Sequence, residues 1–198
     1  LACLDTDLEL VVFSQTHGQA LINVPEQDGF RWIVVPDHKP AARLVWEQIE
    51  FPRLLRRTGI DLLHSLHYTR PLSLPCASVV TFHDMTFFLF PEYHTYAKRL
   101  FFPAAIRYSA RTADAVIAVS ESTRQDAMRL LSLAPDRIHT IPLGIPDEFQ
   151  PYPNSPKLPE IRQKYQLPDH FILYVGMIEP RKKSPLAPAG LSACSGSG

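Results

Sequence analysis

Glycine is scarce in this chain: 8 residues of 198, against 19 prolines. Neither G-x-x-x-x-G-K-[ST] nor G-x-G-x-x-G occurs, so Walker-type and dinucleotide-type phosphate cradles have no support. Neither sign of charge is in excess, because 20 Lys+Arg balance 20 Asp+Glu. No broad positive field is therefore on offer to a nucleic-acid backbone, and no nucleic-acid partner is expected. Cysteine is rare as well. Cys3, Cys76 and Cys194 are odd in number and widely spaced, which is no disulfide framework and favours a reducing, cytoplasmic setting. Long apolar runs are missing. The most apolar stretch, residues 79–90 (VVTFHDMTFFLF), is interrupted by His83 and Asp84 and is shorter than the roughly 20 residues of a membrane span. The opening LACLDTDLEL has no basic stretch ahead of an apolar one, so no signal peptide is read. Peripheral association with the inner membrane face stays compatible with all of this.

What is present is ordinary globular composition, 45% hydrophobic and 20% charged. Apolar runs rich in Val, Ile and Phe predict strands at residues 8–14, 30–36, 60–66, 77–83, 115–120 and 138–143. Helices are predicted over 40–57, with Pro52 as a kink and basic residues ahead of Gly59, over 93–111, and over 122–131. Ser122 and Gln125 fit a capping box for the last of these. The strands are continuously apolar more than alternating, the pattern of strands covered on both faces. Strand–helix–strand order then gives an α/β fold, a Rossmann-like doubly wound and mostly parallel sheet, over residues 1–145. Ligands of such sheets bind beyond the carboxyl ends of the strands, which directs attention to residues 64–68, 83–86, 120–122 and 142–146.

The character changes after Ile145. Residues 146–169 hold Pro146, Pro151, Pro153, Pro156, Pro159 and Pro168 and read as a stiff interdomain linker with one short helix, 160–165. Residues 170–183 (HFILYVGMIEPRKK) read as the first strand and basic turn of another domain, and residues 184–198 as a disordered or non-native tail.

Several residues could carry chemistry. His64 and His67, with Cys76 and His83 further on, match no standard metal-ligand spacing, so no metal site is expected. His83, at a strand end before Asp84, could bond a ligand hydroxyl, or could be satisfied by the adjacent loop; spacing leaves both readings open. Ser120 lacks the flanking glycines of a nucleophile elbow, and a helix-cap role fits Ser120 or Ser122 better. Gly144 permits a positive φ or close backbone approach, or is a simple turn. Arg181 and Lys182 could clamp a diphosphate, or form a solvated basic turn.

Taken in order, IDLLH (60–64), TFHDM (81–85), PEY (91–93), ADAVIAVSEST (113–123), IPLGI (141–145) and YVGMIEPRK (174–182) resemble the amino-terminal half of retaining, nucleotide-sugar-dependent glycosyltransferases of the GT-B fold, family 4 type. The resemblance covers nearly all of residues 1–183, and the subgroup includes many bacterial mannosyltransferases, which makes mannose a candidate sugar. It implies two Rossmann-like domains facing a cleft, a glycan or lipid-linked acceptor on the amino-terminal side, and transfer without a metal or other cofactor. His83 matches the histidine that touches the donor sugar. Arg181 and Lys182 match the basic pair that stabilises the departing diphosphate, and Gly144 matches the glycine at the domain hand-over. His64, Asp84 and Ser120 stand at strand ends as acceptor-side candidates. The family's first strand and Gly-rich loop have no counterpart near Leu1, and its nucleotide-binding domain none after Lys183. The chain alone is therefore expected to be inactive, and marginally stable or self-associating. The alternative is a non-catalytic binding module derived from such a half.

Overall fold

The computed structural model describes residues 8–15, 29–145, 149, 155–171 and 173. Strand β1 (Leu10–Gln15) pairs in parallel with β2 (Phe30–Val35), Leu10 opposite Phe30. Helix α1 (Pro40–Arg57) follows, with proline at its first position, where a missing N–H costs nothing. It ends with Arg56 and Arg57 in the last turn, where positive charge meets the helix dipole. Thr58 at the C-cap returns both its N–H and its hydroxyl to the Leu54 carbonyl, each at 2.9 Å. Gly59 then takes φ +68, a left-handed turn that glycine adopts without strain. The Phe51 ring on α1 meets Phe13 of β1 edge-on, 5.2 Å between centroids.

Four further strands form one parallel sheet in sequence order: β3 (Leu62–Ser65), β4 (Ala77–Phe82), β5 (Ala115–Ala118) and β6 (Ile138–Thr140). Helix α2 (Thr86–Leu89), a 3-10 turn (Pro91–Tyr93) and helix α3 (Tyr96–Thr112) lie between β4 and β5. Helix α4 (Glu121–Leu131) lies between β5 and β6, and α5 (Leu158–Tyr165) comes last. Val80 and Phe82 of β4, Val116 and Ala118 of β5, Leu55 of α1, Ile106 of α3 and Ala127 of α4 are all 0% exposed. Strands and helices thus share one apolar core, and the parallel α/β architecture expected from continuous apolar runs is what the chain adopts.

The chain divides into two compact units: Leu1–Met85 with Ala104–Ile141, and Thr86–Pro103 with Pro142–Gly198. In the second, Phe87 stacks on His94 and on Phe102, with centroids 4.1 and 4.3 Å away. Among the described residues, no helix is long and apolar enough to cross a membrane.

Several boundaries differ from the sequence reading, most by one to three residues. The capping box on Ser122 and Gln125 does not form. Strand β5 stops at Ala118, so the helix starts at Glu121 with Ser120 as its cap, and Gln125 Nε2 donates to Glu121 instead. The strand expected at 138–143 ends at Thr140. Most of the strand expected at 170–176 lies outside the described residues; His170, Phe171 and Leu173 carry no regular structure.

Candidate functional site

Parallel pairing brings the carboxyl ends of β3, β4 and β5 to one edge of the sheet. Their lengths differ there. Ser65, the last residue of β3, stands opposite Val80, while β4 continues through Thr81 and Phe82. The segment after β3, residues 66–68, therefore folds beside the end of β4 instead of extending the ladder. His83 Nε2 donates to the Leu66 carbonyl at 2.8 Å, and the Asp84 N–H donates to the Tyr68 hydroxyl at 3.2 Å. On the other side, Thr123 in the first turn of α4 donates its hydroxyl to the His83 carbonyl at 3.2 Å. The His83–Asp84 step is held from the loop after β3 on one side and from the first turn of α4 on the other.

The loop carrying residues 66–68 is itself anchored. Further along it, Arg70 donates to the Thr112 carbonyl at 3.1 Å and to its hydroxyl at 3.2 Å, with its guanidinium over the Tyr108 ring. The Leu72 N–H donates to Gln48 of α1 at 2.7 Å. Tyr68 is 4% exposed, and its ring lies 4.5 Å from that of His67 and 6.1 Å from that of His83. The His67 and His83 rings are 5.9 Å apart. A pair of imidazoles thus flanks a buried tyrosine at the mouth of the sheet.

Their electrostatics follow from this placement. Partial withdrawal from water lowers the His67 pKa, the charge of His83 and then of Arg43 lowers it further, and Asp84 opposes this. His64 is also lowered, by desolvation, and its Nε2 shares a 2.8 Å hydrogen bond with the buried Thr81 hydroxyl. Because a carbonyl only accepts, the 2.8 Å bond to Leu66 fixes the His83 proton on Nε2 and leaves Nδ1 as the acceptor edge of the neutral ring.

Of the residues singled out from the sequence, His83, Asp84, His64 and Ser120 all lie at this edge. Ser120 is committed to structure: its Oγ accepts the Thr123 N–H at 3.1 Å. Gly144 falls in the second unit, with open space where a Cβ would stand and no positive φ. Arg181 and Lys182 lie outside the described residues. Among the described residues, no three His, Cys, Asp or Glu side chains group as a metal site would require. Tyr68 lies in the strand-end stretch 64–68 marked from the sequence, but neither it nor Thr123 was given a role there. Their only signal was position, Tyr68 just past a strand end and Thr123 in the first turn of a helix.

The chain is 34% identical to "O-antigen chain mannosyltransferase B" of Escherichia coli over 122 residues, 61% of the chain and 32% of that protein. It is 39% identical to "Serotype-specific mannosyltransferase WbdA" of Escherichia coli over 71 residues, 35% of the chain and 9% of that protein. "Alpha-D-kanosaminyltransferase" of Streptomyces kanamyceticus is 28% identical over 137 residues, 67% of the chain and 31% of that protein. The chain thus spans about a third or less of the length of the relatives it matches. The sequence profile of Glycosyltransferase Family 4 matches residues 3–149, a stretch that contains every strand among the described residues and the whole His83 edge. The chain belongs to Glycosyltransferase Family 4.

Proposed function

We propose that this chain is the acceptor-side part of a glycosyltransferase that moves a hexose, mannose in the first instance, from a nucleotide-sugar to a glycan or lipid-linked acceptor with retention of configuration. The observation that carries the reading is the His83 edge. Its imidazole sits past the end of β4 with Nε2 donated to the Leu66 carbonyl at 2.8 Å, so Nδ1 is the edge available to accept a proton from a sugar hydroxyl. An acceptor edge of this kind, set at the ends of strands, can orient a sugar hydroxyl. Two of the three relatives named above are mannosyltransferases by name, which supports mannose over other hexoses.

The chemistry needs a counter-charge where the diphosphate leaves. Arg181 and Lys182 are the residues proposed for it, because a fixed cation beside a developing anion lowers the barrier more than it stabilises the ground state. No metal or other cofactor is called on. His64, Asp84 and Ser120 face the acceptor side in this reading, Ser120 through the helix start that it caps. Cytoplasmic placement with contact to the inner membrane face fits a lipid-linked acceptor. Exposed Tyr96 and Leu100, at 75% and 61%, stand near Lys98 and Arg99 on the first turns of α3, a pairing of aromatic and basic side chains suited to a lipid interface.

The test is sugar transfer by the full-length gene product from a panel of sugar nucleotides, GDP-mannose included, to mannose-terminated glycans. Transfer of mannose from one donor of the panel is expected, and none from the isolated 198-residue chain. Robust turnover by the isolated chain would overturn the division of labour proposed here.

A further inference from the structure

We infer that Tyr68 is a positioning residue for His83, one that acts through the Asp84 backbone and thereby selects the ring nitrogen that His83 presents. The inference rests on the reading that His83 meets a sugar hydroxyl, but its structural half can be tested apart from that reading.

Three contacts converge on the His83–Asp84 step, one on each group that a free strand end would leave to water. The ring is held by the Leu66 carbonyl at 2.8 Å, the His83 carbonyl by Thr123 at 3.2 Å, and the Asp84 N–H by the Tyr68 hydroxyl at 3.2 Å. The third differs in kind, because it needs a phenol. Past Phe82 strand β4 has ended, and the Asp84 N–H donates to a side-chain hydroxyl, that of Tyr68. Tyr68 is 4% exposed, and its hydroxyl accepts that N–H at 3.2 Å. Phenylalanine would fill the same space and keep the ring contacts, 6.1 Å to Phe82 and 6.1 Å to His83 at 76°, yet it would remove the hydroxyl that accepts the Asp84 N–H.

The consequence falls on the imidazole. Leu66 and Tyr68 belong to one short segment, so the bond to Asp84 and the bond to the His83 ring lock the same two backbones together. When the Asp84 N–H is released, the 83–84 peptide keeps, of the two backbone bonds above, only that of Thr123 to the His83 carbonyl, and with that single tether the Nε2 bond to Leu66 loses its alignment. The neutral ring then distributes its proton over both nitrogens, and Nδ1 ceases to be a dedicated acceptor. A sugar hydroxyl that donates to Nδ1 would meet a proton there in part of the population. This is a role for tyrosine that ring packing alone does not supply.

The experiment is Tyr68→Phe in this chain, with the His83 tautomer read from its ring nitrogen shifts in long-range proton–nitrogen NMR. Wild type is expected to show His83 protonated on Nε2, and Y68F a mixture of the two tautomers, with cooperative unfolding retained. Amide exchange supplies a second readout that needs no variant: the Asp84 N–H should be protected in wild type, and Y68F should exchange it about tenfold faster. An unprotected Asp84 amide in wild type, or an unchanged His83 tautomer in folded Y68F, overturns the inference. In the full-length enzyme, Y68F is expected to lower kcat about tenfold, the size of one lost hydrogen bond, with KM nearly unchanged. Loss of transfer in His83→Ala together with unchanged tautomer in Y68F would refute the role of Tyr68 and leave the site intact. A tautomer shift in Y68F with full transfer in H83A would refute the site and leave the positioning intact.

Discussion

Replacing Ser120 by alanine separates a structural serine from one that serves a ligand. Its Oγ accepts the Thr123 N–H at 3.1 Å and lies 3.0 Å from the Thr123 hydroxyl. The backbone at Ser120 is extended, and α4 runs 11 residues from Glu121. Without the oxygen, one N–H of the first turn is orphaned in a partly buried place. The Thr123 hydroxyl keeps its bond to the His83 carbonyl, so no second group is stranded. The loss is then that of a single cap, about 1 kcal/mol, or a fall in Tm of about 2–4 °C for a chain of this size. Urea denaturation followed by far-UV circular dichroism measures it. Ser120→Asp should recover most of the loss, because a carboxylate accepts the same N–H and suits the positive end of the helix. The reasoning fails if S120A is as stable as wild type, or if S120D is as damaged as S120A.

Thr123→Val keeps the shape of a 7% exposed side chain and strands the His83 carbonyl. It should cost about 1–2 kcal/mol in the same urea titration, and the double variant with S120A should lose less than the sum, since both act on one network. The lowered pKa values of His64 and His67 mean that the folded chain binds fewer protons than the unfolded one just below the ordinary 6.5. Stability should therefore fall as pH drops from 6.5 through the lowered folded values, and the double variant His64→Gln, His67→Gln should flatten that slope in urea midpoints taken from pH 7 to about 5.5. Among the described residues, β3 has a partner only on its β4 side, its Leu62 is 54% exposed, and it carries neither proline nor lysine to discourage pairing. Light scattering should show concentration-dependent self-association of the isolated chain; a sharp melt of a strict monomer would refute this.

The fold was legible because burial on both faces leaves a mark on composition. Runs such as ASVVTF and AVIA cannot be half-solvated strands, and helical patterns between them dictate parallel order. The carboxyl edge was legible for the same reason, since strand order alone places His64, His83 and Ser120 together. What stayed hidden depends on strand length differences. That β3 stops opposite Val80 while β4 runs on to Phe82 decides that Leu66 and Tyr68 meet His83 and Asp84, and no periodicity encodes a two-residue stagger. The cap was misplaced for a related reason. In VSEST either serine can cap, and only the end of β5 at Ala118 assigns the role to Ser120.

The central claim, that the His83 edge meets the sugar being transferred, is tested most directly by His83→Ala in the full-length gene product, assayed for sugar transfer with whichever sugar nucleotide and acceptor of the panel the wild type uses. The account predicts a loss of about tenfold to a hundredfold in kcat/KM, the scale of one hydrogen bond that strengthens in the transition state, with Tm close to wild type. Transfer by H83A at the wild-type rate, with the same donor and acceptor, would contradict it.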